Sequence, residues 1–523
     1  MSGKTKNLLL IYPRSFAVSY GDMRFVSHLT GKAGLLNVAL ATIAALVPDG
    51  FQVTIRDEHY DTIDYDGQWD LVGLTGFHTQ IMQAEVIARK FRARGVPVVS
   101  GGPSVSVSPQ RWRDFSDVLV VGEAERIWPR FCSDFLAGSY ADTYLEEERF
   151  GIETSPLPDY SGFSRATINR YFGGIVQTSR GCPFDCEFCD VIAYVGRVMR
   201  YKAPAQVLAE VRQQQKLGLK FVVFADDNFS AGRKQATAIL ATVGAYNRSL
   251  RAPLNFATQA SIDCAQDGSL LKLASESGLN RILVGIESPN VESLKEANKL
   301  QNVRSDMVRD VIRFHQHGIM VMGTSIVGFD HDETDIFRRH LDFFNETGIL
   351  SPQPFPLQAP DGTPLRVRAE REGRYRGWET SLPPEQANNF NTFTLTPARI
   401  SVDQLRDGLY WLIRELYRPD HVLLRLERFF GQFDQSPYRS SLDIPGAALD
   451  RQSLAIVGRL ASYLLLRGSR EERRLLKEMV AVARRSKHPQ KFALAITVFL
   501  QSMNTRLMLQ RLAPQASLLR PPD

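Results

Sequence analysis

Short apolar runs separated by polar, glycine- and proline-bearing turns dominate the first 150 residues. The runs at 8–12, 53–55, 71–74, 96–99 and 118–121 are too short for helices and rich in valine, leucine and isoleucine, the composition of strands buried on both faces. Segments 35–46 and 81–91 instead repeat apolar positions at a helical period. Strand alternating with helix predicts a doubly wound, Rossmann-like parallel α/β sheet over residues 1–150. Its crevice would be lined by the loops after the strands, which carry Thr75-Gly76-Phe77-His78-Thr79-Gln80, Gly101-Gly102-Pro103-Ser104 and Gly122-Glu123-Ala124-Glu125.

Residues 151–172, with Pro156, Pro158 and several serines and glycines, read as a linker. From 173 to 350 the pattern becomes regular. Strands are predicted at 174–178, 221–224, 255–259, 281–286, 321–327 and 354–357, with helices near 204–217, 234–247, 268–277, 305–317 and 333–346. Six such units predict a partial (β/α)6, TIM-like barrel, whose active site belongs at the carboxyl ends of its strands. Residues 351–523 read as mainly helical, with apolar periodicity through 454–466, 475–482 and 492–512. This region is expected to cap the barrel and shape the substrate entrance.

Composition narrows the picture further. A chain of 523 residues, 44% of them hydrophobic, can bury several cores. No uninterrupted apolar stretch of roughly 18 residues occurs, so no transmembrane helix is expected, and the expected location is the cytoplasm. The net charge of +6 is spread thinly until Arg467, Arg470, Arg473, Arg474, Arg484, Arg485 and Lys487 accumulate. These read as a solvated helix face ahead of a phosphate- or membrane-binding patch. No nucleic-acid partner is expected.

The chemistry is concentrated in Gly181-Cys182-Pro183-Phe184-Asp185-Cys186-Glu187-Phe188-Cys189. Thiolates are soft ligands suited to iron–sulfur clusters, and three in one loop can hold three irons of a cube while leaving the fourth open. Structural zinc usually takes four ligands in spaced pairs, and Cys132 and Cys264 stand apart as ordinary buried thiols. A disulfide framework belongs to short secreted chains. The loop follows the first barrel strand, where a barrel active site should lie.

The C-x3-C-x2-C run resembles the signature of the radical S-adenosylmethionine enzymes. That resemblance implies a [4Fe–4S] cluster on Cys182, Cys186 and Cys189, cleavage of S-adenosylmethionine to a 5′-deoxyadenosyl radical, and a reductase with flavodoxin, or a ferredoxin, as electron donor. Segments at the other strand ends look like the family's nucleotide pocket. Asp226, Asp227 and Asn228 resemble the part that meets the methionyl amino group, while Gln259, Ser261, Glu287 and Ser288 resemble positions lining ribose and carboxylate. Residues 323–328 resemble backbone bordering adenine. Turn chemistry and helix capping also favour such residues at these places.

The N-terminal sheet looks like the cobalamin-binding domain found ahead of the cluster in one class of these enzymes, with Thr75, Gly76, Phe77, His78, Thr79, Gly101, Gly102, Pro103, Gly122 and Glu123 at the corrinoid. Asp57-Glu58-His59 begins the D-x-H-x-x-G pattern of histidine-ligated cobalamin proteins, but Thr62 stands in the glycine's place. His59 is therefore read as a surface or supporting residue, and the cobalt's lower face as lacking a histidine ligand. Segments 357–365, 389–392 and 401–426 resemble the C-terminal region of a subgroup that includes hopanoid methylases. The implied activity is methylation of an unactivated carbon in a lipid or natural-product precursor, with peripheral membrane contact open. The alternatives are a non-methylating radical cyclase, rearrangement or oxidation enzyme, and an iron–sulfur redox or sensor protein. No triad or catalytic carboxylate pair stands out.

Overall fold

The computed structural model describes residues 5–15, 24–32, 34–377, 390, 392–445 and 451–512. β1 (Lys6–Tyr12) is followed by a two-residue strand, β2 (Leu35–Leu36), that leaves the first sheet altogether. β3 (Phe51–Asp57), β4 (Leu71–Thr75), β5 (Val98–Gly101), β6 (Val118–Val121) and β7 (Thr143–Leu145) complete that sheet. All its pairings are parallel, in the order β3-β1-β4-β5-β6-β7. Alternation along β1 explains its all-apolar sequence. Leu8 and Leu10 enter one core with Trp128 and Phe131, whereas Leu9 and Ile11 enter the opposite core with Ile87 and Phe91. The order reverses between β1 and β4, which makes that boundary the binding crevice of a doubly wound sheet.

Two sequence expectations change here. The helix expected over 35–46 is only Val38–Ala45, because the side chain of Asn37 caps it by accepting from Leu40 N at 3.2 Å. Leu35 and Leu36 pair instead with Gly173 and Gly174 of the barrel. β7 was absent from the expected set: of its three residues only Tyr144 is buried, too few positions to show a period.

The second sheet contains β8 (Gly173–Val176), β11 (Phe221–Phe224), β12 (Asn255–Gln259), β13 (Leu279–Glu287), β14 (Met320–Val327) and β15 (Ser351–Pro356), reached after a short antiparallel ribbon of β9 (Ser179–Arg180) and β10 (Arg200–Tyr201). Its order is β15-β14-β13-β12-β11-β8-β2, each neighbour parallel. The six predicted barrel strands are all present, and β2 extends the row to seven.

The 401–426 stretch lies in two helices, Val402–Leu416 and Pro419–Asp434. Proline can start a helix but cannot continue one, because it lacks an N–H and its ring meets the preceding turn. The later helices Arg451–Leu466, Arg470–Arg485 and Lys491–Leu512 share a core with Met320 and Leu350, at the amino ends of β14 and β15. Gln490 bonds Asn255 and Asn280 at the starts of β12 and β13. This bundle therefore closes the end of the barrel opposite the cysteine loop, away from the entrance it was expected to shape. Amphipathic periodicity shows that a helix needs a cover, not which end of the barrel supplies it. Within the last helix, Lys491–Gln510 is long and apolar enough to cross a bilayer, but 61% of that window is buried inside the protein.

Candidate cofactor site at the facing sheet rims

The cysteine loop is held by contacts with the protein around it. Gly181, at φ +104°, passes so close to the 196–198 backbone that an added Cβ would meet the Val198 carbonyl oxygen at 2.5 Å. Ribbon pairing at Arg180 and Arg200 closes the loop, and Cys182 N donates to Gly196 O at 3.2 Å within it. Outside, Glu187 forms a two-pronged ion pair with Arg368 at 2.6 and 2.8 Å, and its carbonyl accepts from Leu365 N. The segment 357–371, not the helical bundle, is what lies over the loop.

All the described cysteines are free thiols; Cys186 is buried, and Cys182 and Cys189 are half-buried. Burial pushes all three thiols up, Cys189 to about 12, so a bound cation must supply the charge that makes them thiolates. Among the described residues no three His, Cys, Asp or Glu side chains are arranged to hold a single metal ion. A cubane needs no such convergence, because each thiolate takes a different iron. Three reduced thiols on one anchored loop fit a [4Fe–4S] cluster.

Lys299 escaped the sequence reading. Its ammonium pairs with Glu287 Oε1 at 2.7 Å. Burial opposes its charge, but the Glu287 carboxylate and the sulfurs of Cys186 and Cys189 hold it above the usual lysine range. Glu287 sits at φ +59°, where the β13–β14 register shifts. A Cβ on Gly285 would strike the carboxylate of Glu287 at 2.2 Å and Lys299 Nζ at 2.9 Å. Lys299 lies in the short connection between helices Val291–Glu296 and Leu300–Val303, where no period or motif marks it.

The proposed nucleotide positions divide into two kinds. Asp226 is spent on the fold: it accepts from the backbone N–H groups of Thr178 and Ser179, each at 2.7 Å, and from the Thr178 hydroxyl, stitching the ends of β8 and β11 together. Ser288 is buried and accepts from Asn290 N. Asn228 and Ser261 bond one another at 2.6 Å. Asp227 is half-buried, and burial together with Asp226 raises its carboxyl to about 6. Gln259 is exposed at the rim. Asp227 and Gln259 thus retain accessible polar groups, with Asn228 and Ser261 as the wall beside them.

Across from this rim stand the strand ends of the first sheet. Gly102, at φ +106°, lies so close to Thr75 that a Cβ would meet its hydroxyl at 2.4 Å, so Thr75-Gly76 and Gly101-Gly102-Pro103 form one closely packed backbone edge. Phe77 projects from it, 49% exposed, with Thr79 half-buried beside it. His78 is held down to about 4 by burial and by Arg111, which keeps it neutral. Gly122 N donates to Ser106 Oγ at 3.0 Å. Glu123 receives Arg200 Nη1 and Phe150 N, each at 2.6 Å, and Glu125 receives Arg180 at 2.5 Å. These carboxylates bind the ribbon that carries the cysteine loop. Ser108 donates to Asp361 at 2.7 Å, and Gly362 packs against Val107 and Ala193. His59 is committed to its neighbours: Nδ1 bonds Asp57 at 2.8 Å and Nε2 accepts from Ser15 N. Within the 389–392 segment, only Phe390 and Thr392 are among the described residues.

A parallel barrel with a three-cysteine loop after its first strand, joined rim to rim to a doubly wound sheet, defines the class: an α/β enzyme with an iron–sulfur centre at the barrel rim that faces the carboxyl ends of the sheet. The Radical SAM superfamily model matches residues 176–344, and a domain of unknown function, DUF4070, matches 363–515. An uncharacterized methyltransferase of Synechocystis is 30% identical over 460 residues, 86% of this chain and 83% of its own. The hopanoid C-2 methylase of Rhodopseudomonas palustris is 32% identical over 387 residues, 71% and 72% of the two chains. The chain belongs to the radical S-adenosylmethionine superfamily and is an enzyme that uses a [4Fe–4S] cluster and S-adenosylmethionine. The same fold is seen in the cobalamin-dependent radical enzyme OxsB (TM-score 0.62, 14% identity, covering 99% of this chain and 81% of that one) and in the methyltransferase TsrM of Kitasatospora setae (0.59, 16%, 79% and 89%).

Proposed function

We propose that this enzyme is a cobalamin-dependent C-methyltransferase acting on an unactivated carbon of a lipid or natural-product precursor, in the reducing cytoplasm, with a flavodoxin or ferredoxin as reductant. The observation that carries it is the packing of the ribbon that bears the cysteine loop against the carboxyl-end rim of the first sheet, after β5 and β6. Its supports are the Ser108–Asp361 bond and the Glu123 and Glu125 pairs to Arg200 and Arg180. When bound, the cluster supplies the electron that breaks the sulfonium bond and the corrinoid supplies the transferable methyl group.

The chain's own residues bind, orient and exclude water. Cys182, Cys186 and Cys189 would hold the cluster, and the Lys299 ammonium would place a positive charge near the Cys186 and Cys189 sulfurs. Asp227, Asn228, Gln259 and Ser261 would line the nucleotide. Backbone at Thr75-Gly76 and Gly101-Gly102-Pro103, with Phe77, His78 and Thr79, would receive the corrinoid. Glu123 supports that rim by holding the ribbon, and Gly122 by its bond to Ser106. Both ring nitrogens of His59 are engaged, which fits a cobalt without that histidine. Hopanoid and bacteriochlorophyllide methyltransferases among the relatives agree with carbon as the acceptor.

Anaerobic reconstitution with methylcobalamin and S-adenosylmethionine tests the reading by mass spectrometry. Retained corrinoid with 5′-deoxyadenosine and S-adenosylhomocysteine is the expected result. Deoxyadenosine without corrinoid or homocysteine product would replace methylation by a non-methylating radical reaction.

A further inference from the structure

The helix Arg451–Leu466 is apolar on two faces, yet only one is covered by the described residues. Leu460 and Leu464 enter the core of the C-terminal bundle. Val457, Ala461 and Leu465 form one exposed row at i, i+4 and i+8, and Gly458, Ser462 and Leu466 form the next. At the helix end Leu465 is 74% exposed and Leu466 83%. Two leucines so exposed side by side are a cost to a soluble surface unless something covers them.

What surrounds them is cationic. Arg467, Arg470 and Arg473 follow within eight residues, and Arg473 reaches back to the Leu464 carbonyl at 3.3 Å, which places it at the same corner. Among the described residues Arg467 and Arg470 have no carboxylate within ion-pair distance, and the two nearest acids in sequence are already engaged. Glu471 pairs with Arg506 at 2.5 Å, and Glu472 accepts from Ser469 N at 2.8 Å. Residues 451–491 hold eleven Lys or Arg against three Asp or Glu, a net +8, so the rest of the chain is slightly acidic against its total of +6.

We infer that this corner docks on an anionic lipid surface, with Leu465 and Leu466 entering the headgroup–acyl boundary and Arg467 and Arg470 meeting the phosphates. Apolar tips beside unpaired arginines are the pattern of interfacial membrane binding. A second copy of this chain would bring like charges together at the same corner, which disfavours self-association there. The corner lies in the bundle at the amino ends of the barrel strands, so docking leaves the cysteine loop and its rim clear of the lipid.

Flotation of the full-length protein tests this directly, with vesicles of phosphatidylcholine alone against vesicles of equal parts phosphatidylcholine and phosphatidylglycerol. Binding is expected only with phosphatidylglycerol, and it should weaken as salt rises because screening reaches exposed charges first. Leu465→Ser/Leu466→Ser and Arg467→Gln/Arg470→Gln should each lose at least about tenfold in vesicle affinity, with circular dichroism and melting little changed because these side chains are exposed. Wild-type protein that ignores anionic vesicles, or folded variants that bind like wild type, would overturn the inference. So would dimerisation that the leucine variant abolishes without any vesicle binding. None of these readings depends on cluster, corrinoid or methyl transfer.

Discussion

Replacing Glu123 by glutamine should loosen the joint between the first sheet and the barrel while leaving every cluster ligand in place. Its Oε2 receives Arg200 Nη1 and Phe150 N at 2.6 Å and lies 3.7 Å from Arg180 Nη1. The three side chains are 7–15% exposed. Breaking a buried ion pair by removing one charge costs about 3–5 kcal/mol, since the partner stays charged and dry. Two features hold the cost to the low end. Arg180 keeps Glu125, and Arg200 keeps the carbonyls of Phe150 and Val195 at 2.6 and 2.7 Å. A loss of about 3 kcal/mol is about 150-fold in a local opening equilibrium. Hydrogen exchange followed by mass spectrometry should show amides in 121–125, 148–150 and 196–201 opening about a hundredfold more often, with β14 unchanged. A change under about threefold at those amides, less than 0.7 kcal/mol, would refute the assignment of the joint to this carboxylate.

Each of Cys182→Ser, Cys186→Ser and Cys189→Ser should lose most of the iron and sulfide bound on anaerobic reconstitution, and full retention by any one would break the ligand set. Lys299→Met leaves Glu287 buried without its cation, so urea unfolding of the apo-protein at neutral pH should show a loss of about 3–5 kcal/mol. An unfolding free energy equal to that of the wild type would count against the pair. His340 is held down to about 3 by burial, against an ordinary 6.5. The unfolded chain therefore takes up its proton first, and stability present above pH 6.5 is lost as pH falls toward 3. His340→Leu should flatten the acid limb of a stability–pH profile, and an unchanged slope would remove this histidine from the account.

The barrel was legible because its strands are bounded by turns and its helices are long enough to show their period; 221–224 and 255–259 coincide with β11 and β12. The cysteine spacing was legible because ligands on one loop need no tertiary information. What could not be read depends on contacts between distant residues. Whether Asp226 faces a ligand or the backbone of Thr178 is decided by the approach of β8 to β11. Whether Glu123 meets a corrinoid or Arg200 is decided by how two sheets dock. Lys299 acquires its meaning from Glu287 and the cysteines, all supplied by other loops. Leu35 and Leu36 fit a helix pattern locally and join the barrel because Asn37 caps the helix that follows.

The ribbon of β9 and β10 carries a consequence for the enzyme's life with and without its cluster. A zinc finger unfolds when stripped, because metal binding is its folding energy. Here the loop is closed by strand pairing, by a glycine at the one conformation that lets it pass Val198, and by the Glu187–Arg368 clasp, all independent of iron. The entropy of ordering the loop is met by protein contacts, so oxidative loss of the cluster should leave a folded apo-enzyme with its three thiols still gathered. Repair then becomes a matter of resupplying iron and sulfide to an existing mould rather than of refolding the chain.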